Sequence, residues 1–222
     1  VSGGKTYMML KVEPPSCTDT DAAAIAQAPV VVRLYGRNTE VFIDRSRELR
    51  TLARVASHGV GSRVLASFAT GRIESFLQGR SLEPVELAEP PVAALAAEAI
   101  AGLHVIPAME VMPQLWTTLR SFYKQAQGVE WKSEKQREKF EKLQVGQYLE
   151  ELQMLEQMNE KLQSNVVLCH NDLLCGNFMY HREVASMQLI DFEYACCGYR
   201  GYDIGNHFNE YAGCECEYDR CI

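Results

Sequence analysis

No apolar run in this chain approaches the roughly 18–20 residues of a membrane-spanning helix. Nor does it open on a charged segment, an apolar core and a small-residue cleavage site, the pattern of a secretory leader. Basic charge is scarce: 22 Lys and Arg against 29 Asp and Glu leave a formal net charge of −7. That balance argues against broad binding of nucleic acid or of an anionic membrane, both of which rely on basic patches. Paired C-x-x-C units are missing as well. The eight cysteines (Cys17, Cys169, Cys175, Cys196, Cys197, Cys214, Cys216 and Cys221) do not follow zinc-ligand spacing. They read as reduced thiols of a cytoplasmic protein, with Cys214, Cys216 and Cys221 a weaker candidate for a soft metal. An initiator methionine is absent. The chain opens on Val1-Ser2-Gly3-Gly4 and stops at Asp219-Arg220-Cys221-Ile222, which predicts a fragment lacking sequence at both ends.

What is present is globular. The 222 residues, 47% apolar and 23% charged, suffice for one large domain or two small ones. Tyr7 to Val12 and Val30 to Tyr35 read as strands, the second rich in β-branched residues. Asp44 can cap a helix running to Ser57, with Leu49, Leu52 and Val55 at helical spacing. Val64 to Phe68 and Arg72 to Leu77 form a hairpin across Ala69-Thr70-Gly71. Residues 1–78 therefore read as a small α/β lobe. Residues 79–91, carrying Gly79, Pro84, Pro90 and Pro91, read as a hinge. Residues 92–222 read as a larger, mainly helical lobe with helices over Val92 to Val105 and Leu115 to Gln127. A long charged helix is expected from Lys132 to Gln163, its charges a solvated face.

The chemistry lies between Val166 and Asp191. A short β-like run, Val166-Val167-Leu168, leads into His170-Asn171-Asp172. Asn177 follows five residues after the aspartate, and a second strand, Met187 to Ile190, ends at Asp191. This is the order of a kinase catalytic loop and its metal-binding strand, although Asp191-Phe192-Glu193 carries Glu where protein kinases carry Gly. Phosphoryl transfer needs an acceptor for a hydroxyl proton and oxygen ligands for Mg2+. Asp172, within the His170 motif, suits the first role; Asn177 and Asp191 suit the second. Asp and Asn are also common turn residues, so a lone H-x-D would carry little weight.

A kinase also needs a cation on the nucleotide phosphates and a carboxylate to hold that cation. Arg33 is a lone charge within an apolar strand, and Glu48 on the next helix is its expected partner. Gly3-Gly4-Lys5-Thr6 can form a turn whose N–H groups face phosphate. It also fits the end of a P-loop, but a strand rather than a helix follows it. The backbone from Glu74 to Phe76, closing the small lobe, is where an adenine would pair.

These residues resemble the choline/ethanolamine kinase family. The resemblance is carried by Cys-His-Asn-Asp-Leu-Leu-Cys-Gly-Asn at 169–177, Ile-Asp-Phe-Glu-Tyr at 190–194 and Tyr-Asp-Ile-Gly-Asn-His-Phe-Asn-Glu at 202–210. Val32 to Gly36 and Asp44-Arg45 add to it, and Leu173-Leu174-Cys175 and 208–213 look closer to the ethanolamine branch. The resemblance implies an α+β, two-lobed protein-kinase-like fold related to aminoglycoside phosphotransferases. It also implies ATP- and Mg2+-dependent phosphorylation of the ethanolamine hydroxyl, the first step of phosphatidylethanolamine synthesis from the free amine. Asp172 becomes the base, Asn177 and Asp191 the Mg2+ ligands, and Arg33 with Gly3 and Gly4 the ATP contacts. Tyr194 and Glu210 face the amino-alcohol, while Asp203, Asn206 and His207 brace the site. Glu193 adds a carboxylate suited to a small cation. Ethanolamine's ammonium offers three donors and choline's offers none, but Tyr194 and Tyr199 also supply aromatic surface, so the residues alone leave the two substrates unseparated. Another small-molecule kinase, or a catalytically silent kinase-like module, is the alternative. The sequence gives no oligomeric state.

Overall fold

The computed structural model describes residues 2–3, 7–14, 28–36, 39, 43–110 and 112–212. The N-terminal part is an antiparallel sheet of β1 (Ser2–Gly3), β2 (Tyr7–Val12), β3 (Val30–Tyr35), β4 (Val64–Phe68) and β5 (Gly71–Ser75), in the order β1-β2-β3-β5-β4. The expected strands from Tyr7 and Val30 are both found. The hairpin turn is tighter than expected. Gly71 already belongs to β5, opposite Leu34, and a Cβ there would lie 2.3 Å from the Arg33 carbonyl oxygen. Glycine lets the two backbones close without that clash.

One helix, α1 (Arg45–Ala56), packs beside the sheet. The Asp44 side chain accepts from Arg47 N–H at 2.9 Å, as an N-cap should. Its buried face is Glu48, Thr51, Leu52 and Val55 rather than the stripe through Leu49. A carboxylate therefore points inward, which requires buried cations to meet it.

Residues 79–91, expected as a hinge, carry a short strand, a 3-10 turn and the start of the next helix. β6 (Arg80–Ser81) pairs with β8 (Phe178–His181), which in turn pairs with β9 (Ser186–Leu189). A 3-10 turn at Pro84–Ala88 buries Leu87 completely. Gly79 stands at φ 130°, and a Cβ there would meet the Tyr180 carbonyl oxygen at 2.6 Å, so both its conformation and its close approach call for glycine.

The helical part contains α2 (Pro90–His104), α3 (Leu115–Gln127), α4 (Glu134–Lys142), α5 (Tyr148–Leu162) and α6 (Arg200–Asn209). The single long helix expected over 132–163 is two helices. The chain breaks at Gln144, left-handed at φ 48°, with Gly146 in the 3-10 turn that follows. Charge periodicity continues through the break, so the pattern alone does not mark it.

Apolar α2 is the centre of this part. Val92, Ala96, Ile100 and Leu103 join Leu168 and Phe178 in one cluster, which also takes in Leu52 and Val55 of α1. Burying each large side chain contributes about 1.5–3 kcal/mol, so the sheet-borne and helical parts are held together through α1. β7 (Val166–Cys169) and β10 (Cys196–Tyr199) form an antiparallel pair beneath α2 and α6. Among the described residues, no helix is long and apolar enough to cross a membrane.

Candidate active site

β7 ends at Cys169 and leads into His170-Asn171-Asp172, with His170 buried and Asn171 and Asp172 part-exposed. Asn171 sits at φ 65°, a left-handed conformation that Asn tolerates better than most residues. Asn177, in a 3-10 turn, donates its Nδ2 to the Asp172 carbonyl at 2.8 Å and to Asp172 Oδ2 at 2.9 Å. Its Oδ1, the atom a hard cation would use, makes neither bond. Burial pushes the Asp172 carboxyl above the ordinary aspartate range. Nearby His170 and the Asn177 hydrogen bond oppose that rise, and the Asp191 charge adds to it.

Asp191 follows β9 at φ 67°. The Ile190 N–H donates to the Asn177 carbonyl at 3.0 Å, and His170 Nε2 meets the Ile190 carbonyl at 2.9 Å. The segments bearing Asn177 and Asp191 are thus stitched to each other by main chain and imidazole. His170 has no exposed surface and packs its ring against Phe192. It was expected within the catalytic motif; its place is beneath the loop, holding the backbone ahead of Asp191.

Arg33 reaches down from β3. Its Nη1 lies 3.0 Å from Asp191 Oδ1 and its Nε lies 3.3 Å from Glu74. Glu48 is not its partner, contrary to expectation. Arg33 and Arg72 stand directly opposite on β3 and β5, so two guanidinium groups share one face of the sheet. Such a pair repels unless carboxylates intervene. Glu74 sits against both, 2.5 Å from Arg72 Nε, while Glu48 turns to Arg72 at 2.8 Å and Arg45 at 2.8 Å. The Glu74 carboxyl is held below its usual range: burial would raise it, but Arg33 and Arg72 outweigh that. Tyr7, which sequence reasoning passed over, lays its ring over the Arg33 guanidinium at 4.0 Å and donates its hydroxyl to Asp191 Oδ2. Its partner lies 184 residues away, so no local spacing signals it.

Beside Arg33 a cavity of about 280 Å³ opens between the sheet and β8. Val31, Phe76, Leu77, Met179 and Ile190 give it apolar walls, with Lys11, Arg33 and Glu74 at polar positions. The cavity combines an apolar slot with cations at one side, which suits a base joined to phosphates. Glu74 and Phe76 both line it, and the Phe76 N–H donates to the Pro29 carbonyl at 3.3 Å. Gly3 lies in β1 opposite Met8. Gly4, Cys17, Cys214, Cys216 and Cys221 fall outside the described residues.

The residues expected to meet the acceptor divide. Burial and the charges of Glu193, Asp172 and Asp191 raise the Tyr194 hydroxyl pKa. Burial and Asp172 raise Glu210. Both therefore sit in the field of Asp172. Glu193 turns the other way: it is buried, 3.6 Å from Arg45, and offers an oxygen within 4.8 Å of those of Glu48 and Asp191. The oxygens of Asp191, Glu193 and Glu48, with the Asn177 amide oxygen in the adjoining turn, are hard donors of the type Mg2+ prefers; Asp191 gives both of its oxygens to Arg33 and Tyr7, so an ion there would share or displace those contacts.

α6 braces the loop from below. Asp203 accepts from the N–H of His170 at 3.0 Å and of Asn171 at 2.7 Å. Asn206 Oδ1 accepts from Leu173 N–H at 2.7 Å, and His207 Nδ1 lies 3.2 Å from the Leu173 carbonyl.

Residues 1–220 match the choline/ethanolamine kinase family. A probable ethanolamine kinase of Arabidopsis thaliana is 40% identical over 220 residues, covering 98% of this chain and 57% of the relative. The solved Plasmodium vivax ethanolamine kinase superposes with a TM-score of 0.86 at 28% identity, covering 100% of this chain and 63% of that one. An aminoglycoside phosphotransferase of Streptomyces rimosus, solved with ADP and streptomycin, shares the fold at a TM-score of 0.57 and 15% identity, over 84% of this chain and 76% of its own. This chain therefore spans a little over half the length of the Arabidopsis relative. The match across residues 1–220 and the 40% identity to the Arabidopsis relative show that this chain belongs to the choline/ethanolamine kinase family.

Proposed function

We propose that this chain carries the catalytic core of an ATP- and Mg2+-dependent kinase that phosphorylates the hydroxyl of ethanolamine, giving phosphoethanolamine for phosphatidylethanolamine synthesis. The observation that carries the reading is the meeting of Asp172, Asn177 and Asp191 with Arg33, brought from three separate segments, with Arg33 also lining the apolar cavity. The relatives named ethanolamine kinase support the choice of acceptor.

In this reading the base of ATP enters the cavity between Val31 and Met179, and Arg33 faces its phosphates. Asp191 and Asn177, with Glu193 beside them, hold Mg2+. The ion supplies charge neutralisation on the phosphates. Asp172 accepts the hydroxyl proton, and its raised basicity suits that role. Glu210 and Tyr194 receive the ammonium of the amino-alcohol, which needs acceptors for its three N–H donors. His170 holds the backbone ahead of Asp191. The reduced thiols Cys169, Cys196 and Cys197 support a cytoplasmic setting.

The test is ADP release with ATP and Mg2+ in the presence of ethanolamine, of choline, or of no acceptor. Release that depends on ethanolamine supports the reading. Release driven equally by choline would move the assignment to a broader amino-alcohol kinase, and no acceptor-dependent release from folded protein would overturn it.

A further inference from the structure

Asp203 is fully buried, and it is the point from which the loop ahead of Asp172 hangs. Its Oδ1 accepts from Asn171 N–H at 2.7 Å, and its Oδ2 accepts from His170 N–H at 3.0 Å. A third contact comes from outside the loop and outside α6. His104 Nε2 lies 2.8 Å from Asp203 Oδ2, in a contact where both residues are buried. His104 is the last residue of α2, the helix whose Ala96 and Leu103 have no exposed surface.

We propose that His104 is a positioning residue for the loop bearing Asp172. Its Nε2–H holds the Asp203 carboxylate in the one orientation that serves both backbone amides. The inference rests on the phosphotransfer reading above for its consequence on turnover.

The physical argument has two parts. A fully buried carboxylate stays ionised only while donors satisfy it. Burial alone would raise the Asp203 carboxyl, yet the His104 contact and the two amides hold it below its usual range. The second part is conformational. Asn171 sits at φ 65°, a region Asn enters with hydrogen bonds to support it; here its N–H goes to Asp203 and its Nδ2 to the Tyr194 carbonyl at 3.0 Å. Asp203 fixes the Asn171 N–H, and the peptide after Asn171 carries Asp172. Removing the His104 donor frees Oδ2 to rotate or take up a proton; either change loosens Asn171 and swings Asp172.

His104, Cys169 and Asp203 also offer ligand atoms within 4.8 Å of one another. A metal reading fits them poorly. Both Asp203 oxygens already accept from backbone N–H groups, and burial drives the Cys169 thiol strongly upward, away from the thiolate a metal takes.

The experiment compares wild type, His104→Leu and His104→Gln, with Asp172→Ala as the inactive control. Gln can place an N–H donor near the position of Nε2; Leu cannot. Two quantities are read: backbone hydrogen exchange in the segment 168–173, and kcat with KM for ATP. His104→Leu is expected to speed exchange at 170–171 about tenfold or more, and to lower kcat about tenfold or more with KM for ATP within about twofold. His104→Gln is expected to bring both close to wild type. Folded His104→Leu with wild-type exchange and kcat would overturn the proposal, as would a Gln variant no better than Leu. If His104→Leu does not fold, His104→Asn, polar but too short to reach Asp203, takes its place against Gln under the same criteria. If wild type itself transfers no phosphate, the phosphotransfer reading fails, while the exchange comparison still decides whether His104 holds the loop.

Discussion

Arg33, on the third strand of the N-terminal sheet, donates to Asp191 at 3.0 Å across 158 residues of sequence. With the Tyr7 hydroxyl on the other carboxylate oxygen, this contact joins the sheet to the segment that carries Asp191, at the edge of the apolar cavity. Both groups are buried, so neither tolerates the loss of the other.

Arg33→Ala leaves Asp191 and Glu74 short of a buried cation. A stability loss of about 3–5 kcal/mol is expected, measured by urea unfolding. A KM for ATP raised roughly tenfold or more is expected in the fraction that folds. Arg33→Lys restores the charge but not the fork that serves Asp191 and Glu74 together, so it should fall between the two. An alanine variant with unchanged stability and unchanged KM would remove Arg33 from the account.

Asp172 accepts a proton only when ionised, and burial pushes its carboxyl upward. Activity should therefore fall on the acid side at a pH above the ordinary aspartate value of about 3.9. Asp172→Asn should abolish that limb and lower kcat by about 10²–10⁴-fold, with the melting temperature nearly unchanged. The pH–rate profile of both proteins is the check; an unchanged acid limb in the variant argues for a different base.

Asp203 works in the opposite direction, on stability. Its folded pKa is depressed: burial opposes ionisation, but His104 and the two loop amides win. A depressed carboxylate contributes stability that is complete above its unfolded pKa of about 3.9 and is lost as pH falls through the lower folded value. Asp203→Asn should cost about 3 kcal/mol near neutrality, and the gap to wild type should narrow as the pH drops below about 4. Unfolding free energies at several pH values test this, and a gap that widens with acid would contradict it.

Gly71 tests the register that aims Arg33. A Cβ there would stand 2.3 Å from the Arg33 carbonyl. Gly71→Ala must push β3 and β5 apart, at a cost of about 1–3 kcal/mol, and should weaken nucleotide binding through Arg33. Calorimetric titration with ATP is the measurement; full affinity in a destabilised variant would separate the register from the site.

Much of this was legible in the residues, for identifiable reasons. Tyr7–Val12, Val30–Tyr35 and Leu115–Gln127 fall where period and composition put them, and the two strands pair with each other along their whole length. That Asp172, Asn177 and Asp191 come together was legible because they lie at the two ends of one short stretch of chain, 172–191. The Glu48 partner was misread because it depends on which strand lies next to β3: the crossing of β5 brings Arg72 between Arg33 and α1. The break at Gln144 was hidden because an exposed helical surface repeats its charges on both sides of a turn. Tyr7 and His104 act through partners 184 and 99 residues away, so no local pattern reveals them.

The central claim is tested most directly by following the γ-phosphoryl group itself. The chain is incubated with γ-labelled ATP, Mg2+ and ethanolamine, and the products are separated, beside the Asp172→Ala variant. The account predicts label on the ethanolamine oxygen with wild type and almost none with the variant. Label that stays on ATP or appears only as inorganic phosphate, from wild-type protein shown to be folded, would contradict it.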